Sequence, residues 1–208
     1  MRYQGCNFGW DADIIAVEHG IRIKRPLGFG DDGSVFLLED GRVMKLTTSR
    51  DEAVLCTHLA MDRTAYWPLP TVHAVSWHAA PGVHGDCWVV IREDVPDLWQ
   101  SADTFSDDAC MAKAEAWDAA HHRYYSGETG WPDDGHRAAQ ACIEDWAAYG
   151  TEMGLLMEAL SFVGERLGVA IQDWRTTNVG RSADGRVVMR DLSRCVLPTW
   201  MYDAVPLS

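Results

Sequence analysis

Positive charge is scarce in this sequence relative to negative. Its 208 residues carry 18 Lys and Arg against 31 Asp and Glu, a formal net charge of −13. Binding a phosphate backbone takes a basic patch, so this balance argues against a nucleic-acid partner. It argues equally against an anionic membrane surface. No apolar run approaches the length of a membrane span, and the opening Met-Arg-Tyr-Gln-Gly-Cys has no signal-peptide core. The six cysteines (Cys6, Cys56, Cys87, Cys110, Cys142 and Cys195) form no Cys-x-x-Cys pair. That pattern predicts reduced, mostly buried thiols in a cytoplasmic protein, in preference to disulfides or zinc. Internal repeats and low-complexity segments are also missing. Hydrophobic residues make up 47% of the chain, which excludes wholesale disorder. The length suits one compact domain or two small lobes.

What is present begins with a short helix predicted over 11–19, acidic at its start and followed by Gly20. Ile21–Leu27 reads as a strand that runs into Gly28-Phe-Gly-Asp-Asp-Gly-Ser-Val35. Phe36–Leu38 continues as a second strand, Asp40-Gly41 marks a turn, and Val43–Leu46 is a third strand. The glycines therefore lie between two antiparallel strands. A dinucleotide-binding glycine loop must instead lead from a strand into a helix. Glycines at 28, 30 and 33 let backbone N–H groups approach phosphate oxygens without side-chain obstruction. Lys45 ends the third strand among apolar neighbours, so its ammonium needs an anion. Nucleotide phosphates and Glu52 are the candidates. Glu52 falls in the first turn of a helix predicted to follow, with Thr48 or Ser49 as its cap.

Asp86–Pro96 reads as a buried strand that turns polar at Arg92 and leaves the sheet. Beyond about residue 97 the apolar spacing becomes helical, over 107–125 and 136–167, with a loop at 126–135 between them. Gly168 closes the second helix. Then comes Ile171-Gln-Asp-Trp-Arg-Thr-Thr-Asn178, a hairpin turning at Asp184-Gly185, and Asp191-Leu-Ser193. The hairpin brings Asp191 back beside Asn178. Two carboxylates and a carboxamide gathered at one spot suit a site that holds metal-bound phosphate and activates a hydroxyl.

In this order and on these elements, Gly28-x-Gly30-x-x-Gly33-x-Val35, Lys45, Glu52, Asp173-x4-Asn178 and Asp191 resemble the protein-kinase-like superfamily. The resemblance covers about Leu27 to Ser193. It implies an α+β, bilobal protein-kinase-like fold. Residues 1–95 would form an N-lobe built on an antiparallel five-stranded sheet with one main helix, and 96–208 a reduced, mostly helical C-lobe. Gly28, Gly30 and Gly33 would close over ATP, and Val35 would pack on the adenine. The backbone around Glu93 and Val95 would bond the adenine edge. Lys45, held by Glu52, would contact the α and β phosphates. Asn178 and Asp191 would bind Mg²⁺. Asp173 would take the proton of a substrate hydroxyl, with Arg175 near the γ-phosphate.

Departures from the family pattern are equally specific. Ile171-Gln172 stands where the family usually has His-Arg, and Asp-Leu-Ser where it has Asp-Phe-Gly. Only 17 residues follow Asp191, too few for an activation segment and the helices that support a protein substrate. The large lobe would be completed by 97–135 or by a partner chain. The resemblance thus implies an ATP- and Mg-dependent phosphotransferase acting on a hydroxyl, protein Ser/Thr first. The alternatives are a catalytically inactive pseudokinase serving as a nucleotide-binding or scaffolding module, and a small-molecule kinase.

Overall fold

Five runs rich in apolar and β-branched residues form one antiparallel sheet in the computed structural model of the chain. They are β1 (Ile23–Phe29), β2 (Gly33–Leu38), β3 (Val43–Thr47), β4 (Val72–His78) and β5 (Cys87–Arg92), in spatial order β1-β2-β3-β5-β4. The structure describes residues 11–62, 68–79, 85–96, 151–171 and 178–203. The helix expected over 107–125, the loop at 126–135 and the first part of the helix expected over 136–167 lie outside these. The fold is α+β, as the sequence predicts.

Within the described residues, 11–62, 71–79, 85–94 and 199–203 belong to one compact unit, and 68–70, 95–96, 151–171 and 178–198 to another. The segment 199–203 thus returns to the sheet-bearing unit, whereas the sequence reading draws a single boundary after residue 95.

In the first unit, helix α1 (Ala12–Glu18) starts at Asp11, whose carboxylate accepts the Ile14 amide at 3.2 Å. Its Ala12, Ile15 and Ala16 cover Phe36, Leu38, Met44, Leu46, Cys87, Val89 and Ile91 on one sheet face. Helix α2 (Arg50–Met61) bonds to Lys45, which the strand alternation puts on the opposite face. Strands β3 and β5 are covered on both faces, which is why they are buried at every position and are mostly apolar, apart from Lys45, Thr47 and Arg92. The edge strand β1 mixes exposed and half-buried residues and has no fully buried position.

The second unit is built on helix α3 (Thr151–Leu167), the pair β6 (Ala170–Ile171) and β9 (Cys195–Val196), and the hairpin of β7 (Val179–Arg181) and β8 (Val187–Met189). Leu156, Leu160 and Val163 of α3 join Val179, Val188, Met189 and Leu192 among its buried residues. Gly180 fixes where the Val95-Pro96 segment can lie. A Cβ there would stand 2.2 Å from the Pro96 carbonyl oxygen, so any side chain would push the two backbones apart. With glycine, the Arg181 amide reaches that oxygen at 3.0 Å. Three cysteines lie in the described residues, Cys56, Cys87 and Cys195, and all are buried.

Candidate functional site

The predicted site residues fall into two groups, one in each unit. In the sheet-bearing unit, strand register sets the first group. One cross-strand row runs Gly28, Val35, Lys45, Val90, Val75 from edge to edge. Directly opposed residues share a face, so Gly28, Val35 and Lys45 look the same way. Gly28 contributes no side chain and Val35 is only half-buried, which leaves this end of the row bare next to the lysine.

Lys45 is 4% exposed and Glu52 1%, and the Lys45 Nζ donates to Glu52 Oε1 at 2.8 Å. The helix start explains how Glu52 gets there. Ser49 caps α2 by accepting the Glu52 amide at 3.2 Å, which places Glu52 in the first turn, on the side facing β3. The other carboxylate oxygen, Oε2, is buried and accepts no hydrogen bond from any described residue. Leaving such an oxygen unmatched costs about 1–3 kcal/mol, so the pair is not explained by stability alone.

The glycines divide into two kinds. A Cβ on Gly33 would meet the Leu46 carbonyl oxygen at 2.1 Å, so this residue is glycine because β3 runs against it. Gly28 and Gly30 meet nothing within 4 Å, and neither has positive φ. The folded backbone gives no reason for glycine at either. The hairpin between β1 and β2 is tight, with Gly30 donating to the Gly33 carbonyl at 2.9 Å around Asp31 and Asp32. The Asp32 carbonyl accepts the Thr48 amide at 2.9 Å and the Thr47 hydroxyl at 3.1 Å. This latch ties the tip of the hairpin to the junction between β3 and α2, and the sequence reading did not find it. Its signal was the run Thr47-Thr48-Ser49, hydroxyls placed where a strand ends and backbone groups need partners. Phe29 packs edge-on against Phe36, ring centroids 6.2 Å apart, on the face away from Lys45.

Glu93 is tied to Thr71 in both directions. Its amide donates to the Thr71 carbonyl at 2.9 Å, and its carboxylate accepts the Thr71 amide at 2.6 Å. A ligand at Glu93 would therefore meet its carbonyl, since its N–H is engaged.

In the second unit, Val95 is buried, with its side chain against Gly180. The β7–β8 hairpin pairs Val179 with Met189, which puts Asn178 opposite Arg190. The Arg190 amide donates to the Asn178 carbonyl at 2.7 Å, and Asp191 follows directly. The turn is where the sequence places it, with Gly185 at φ 86. Asp184 secures it: the Ser182 hydroxyl at 2.5 Å and the Arg186 guanidinium at 2.7 Å hold its carboxyl down to about 2. Asn178 is buried at 6% exposure, and Asp191 Oδ1 accepts the Ser193 amide at 3.0 Å. A carboxylate and a carboxamide are by type the oxygen donors that a hard cation takes. No cluster of three His, Cys, Asp or Glu side chains occurs among the described residues. Asp173 and Arg175 lie outside the described residues. No described helix is long and apolar enough to cross a membrane.

Compared with known proteins, the sequence matches no family model and no curated protein.

Proposed function

We propose that the chain is a minimal phosphotransferase of bilobal, protein-kinase-like fold. It would move the γ-phosphate of ATP to a hydroxyl, with a protein serine or threonine as the favoured acceptor. One observation carries the reading: the buried Lys45–Glu52 pair shares a sheet face with the bare end of the Gly28–Val35 row. Gly28 and Gly30, which have no steric need to be glycine, border that same end.

In this reading the amides of the hairpin approach the phosphates, and Glu52 aims the Lys45 ammonium at them. Val35 offers an apolar surface to the base. Asn178 and Asp191 would hold Mg²⁺, whose charge offsets that of the phosphate oxygens when it is bound. Asp173 positions the acceptor hydroxyl and removes its proton. A loose transition state gains most from such positioning and charge neutralisation. A non-catalytic nucleotide-binding role has one observation on its side, the engagement of Asp191 Oδ1 by the Ser193 amide.

The deciding experiment follows γ-labelled ATP with Mg²⁺ and a panel of protein and small hydroxyl acceptors. Wild type should transfer label, and Asp173→Asn should lower the rate roughly 100- to 10,000-fold, the range for a lost general base. Transfer that persists in Asp173→Asn removes the base assignment. ATP binding with no transfer to any acceptor favours the non-catalytic role.

The hairpin tip carries an unusual charge for a phosphate-covering loop, since Asp31 and Asp32 are both acidic and at least partly exposed. The double replacement Asp31→Asn, Asp32→Asn should tighten ATP binding about five-fold at low salt, the equivalent of about 1 kcal/mol for charges near 4 Å apart in water. The gain should fade at about 0.5 M salt as screening sets in. Unchanged affinity at low salt would show that the tip does not lie over the triphosphate.

A further inference from the structure

Helix α4 (Thr199–Asp203) packs on α2, within the sheet-bearing unit and about 150 residues away in sequence. Its grip is specific. The Tyr202 hydroxyl donates to Asp51 Oδ1 at 2.5 Å, and the Arg50 guanidinium sits 5.1 Å over the Tyr202 ring. Two turns along, His58 Nε2 bonds the Met201 carbonyl at 2.9 Å, and the His58 ring meets the Trp200 ring edge-on at 5.3 Å. Met201, between these contacts, is 1% exposed. Asp51 and His58 are seven residues apart and so share one stripe of α2. Glu52, next to Asp51, is turned to Lys45 on the sheet.

This arrangement puts a fastening on α2 directly behind its one buried charge. Glu52 sits in the protein with Oε2 accepting no hydrogen bond from any described residue. Such a carboxylate is favoured by any motion that returns it to water. The first turn of a helix is also where opening costs least. Tyr202 holds that turn through the neighbouring side chain, and His58 fixes the helix farther along.

We propose that α4 is a strap that keeps α2 in the pose pairing Glu52 with Lys45, with Tyr202 and Asp51 as its positioning pair. Releasing the strap frees Glu52 to leave the sheet and unpairs Lys45. The geometric claim concerns this chain alone; its consequence for ATP handling rests on the function proposed above.

The test reads Lys45 directly. The intact protein is acylated with a small amine-reactive reagent, and Lys45 labelling is measured by peptide mass spectrometry against the exposed Lys24. Tyr202→Phe keeps the ring under Arg50 and removes only the hydroxyl, so the fold survives, as near-ultraviolet circular dichroism would check. Lys45 labelling should rise roughly ten-fold, the response of local opening to one lost hydrogen bond on a charged acceptor. Asp51→Ala should match it, and Asp51→Asn, which still accepts from Tyr202 but without the charge, should fall between wild type and Tyr202→Phe. The combination Asp51→Ala with Tyr202→Phe should be no worse than either alone, since both remove the same bond. Labelling unchanged in Tyr202→Phe and Asp51→Ala overturns the strap. Binding of a non-hydrolysable ATP analogue is measured in parallel. If Lys45 labelling responds while wild type binds no nucleotide, the strap stands and the proposed function fails. If wild type binds nucleotide and labelling does not respond, the reverse holds.

Discussion

Lys45→Met should destabilise the protein by about 3–5 kcal/mol, because it strands a buried carboxylate without its cation. Glu52 is 1% exposed, and its carboxylate accepts from the Lys45 ammonium at 2.8 Å. No water shell replaces what the substitution removes. The same change should lower phosphoryl transfer roughly 100- to 1,000-fold, the usual loss when a preorganised charge is taken from a transition state. Those two effects would be confounded in a single variant. Pairing Lys45→Met with Glu52→Leu separates them. Replacing both members of a buried ion pair by apolar groups of similar size is often neutral or stabilising, so urea unfolding of the double variant should return close to wild type. Transfer of label from ATP should stay as low as in Lys45→Met. If activity recovered along with stability, the pair would be a packing feature and its nucleotide role would be gone. If stability did not recover, the site would depend on the charge pair for its shape.

The parts of this arrangement that were legible in the sequence are the local ones. Ser49 as a cap, Glu52 in the first helical turn and Lys45 on the third strand follow from spacing within about ten residues. Their meeting at 2.8 Å then follows from a helix that packs on the strand just before it. The β7–β8 hairpin was legible for the same reason, since Asp184-Gly185 specifies its own turn. What escaped was non-local or ambiguous in type. Tyr202 and Asp51 are separated by 151 positions, and no periodicity marks Thr199–Asp203 as destined for α2. The motif also merged glycines of different origin. Gly33 matches the phosphate-loop pattern as well as Gly28 and Gly30 do, yet β3 alone requires it. Likewise, Glu93 reads as free backbone at the end of a strand, and only the fold reveals that Thr71 takes its amide. Asp173 and Arg175 lie outside the described residues, so their roles still rest on the sequence pattern.

That division among the glycines leads to an opposite pair of outcomes. Gly33→Ala should cost about 1–3 kcal/mol, as for overpacking of a closely packed site. The added methyl would sit 2.1 Å from a backbone oxygen of β3, and neither partner is a flexible side chain that can turn away. For a chain of this length that corresponds to a fall in melting temperature of about 2–4 °C for each kcal/mol. Gly28→Ala and Gly30→Ala meet open space instead. Neither position needs positive φ, so each should leave stability within about 0.5 kcal/mol or raise it slightly through the unfolded chain. Their effect should fall on the ligand. A methyl on this bare surface keeps phosphate oxygens from the hairpin amides, and losing one hydrogen bond to a charged group weakens binding roughly 10- to 100-fold. Thermal melts with and without an ATP analogue measure both halves at once. Gly28→Ala and Gly30→Ala should melt like wild type alone and lose the ligand-induced shift. Should they retain the full shift, the hairpin would not be covering phosphates, and glycine at 28 and 30 would need another cause.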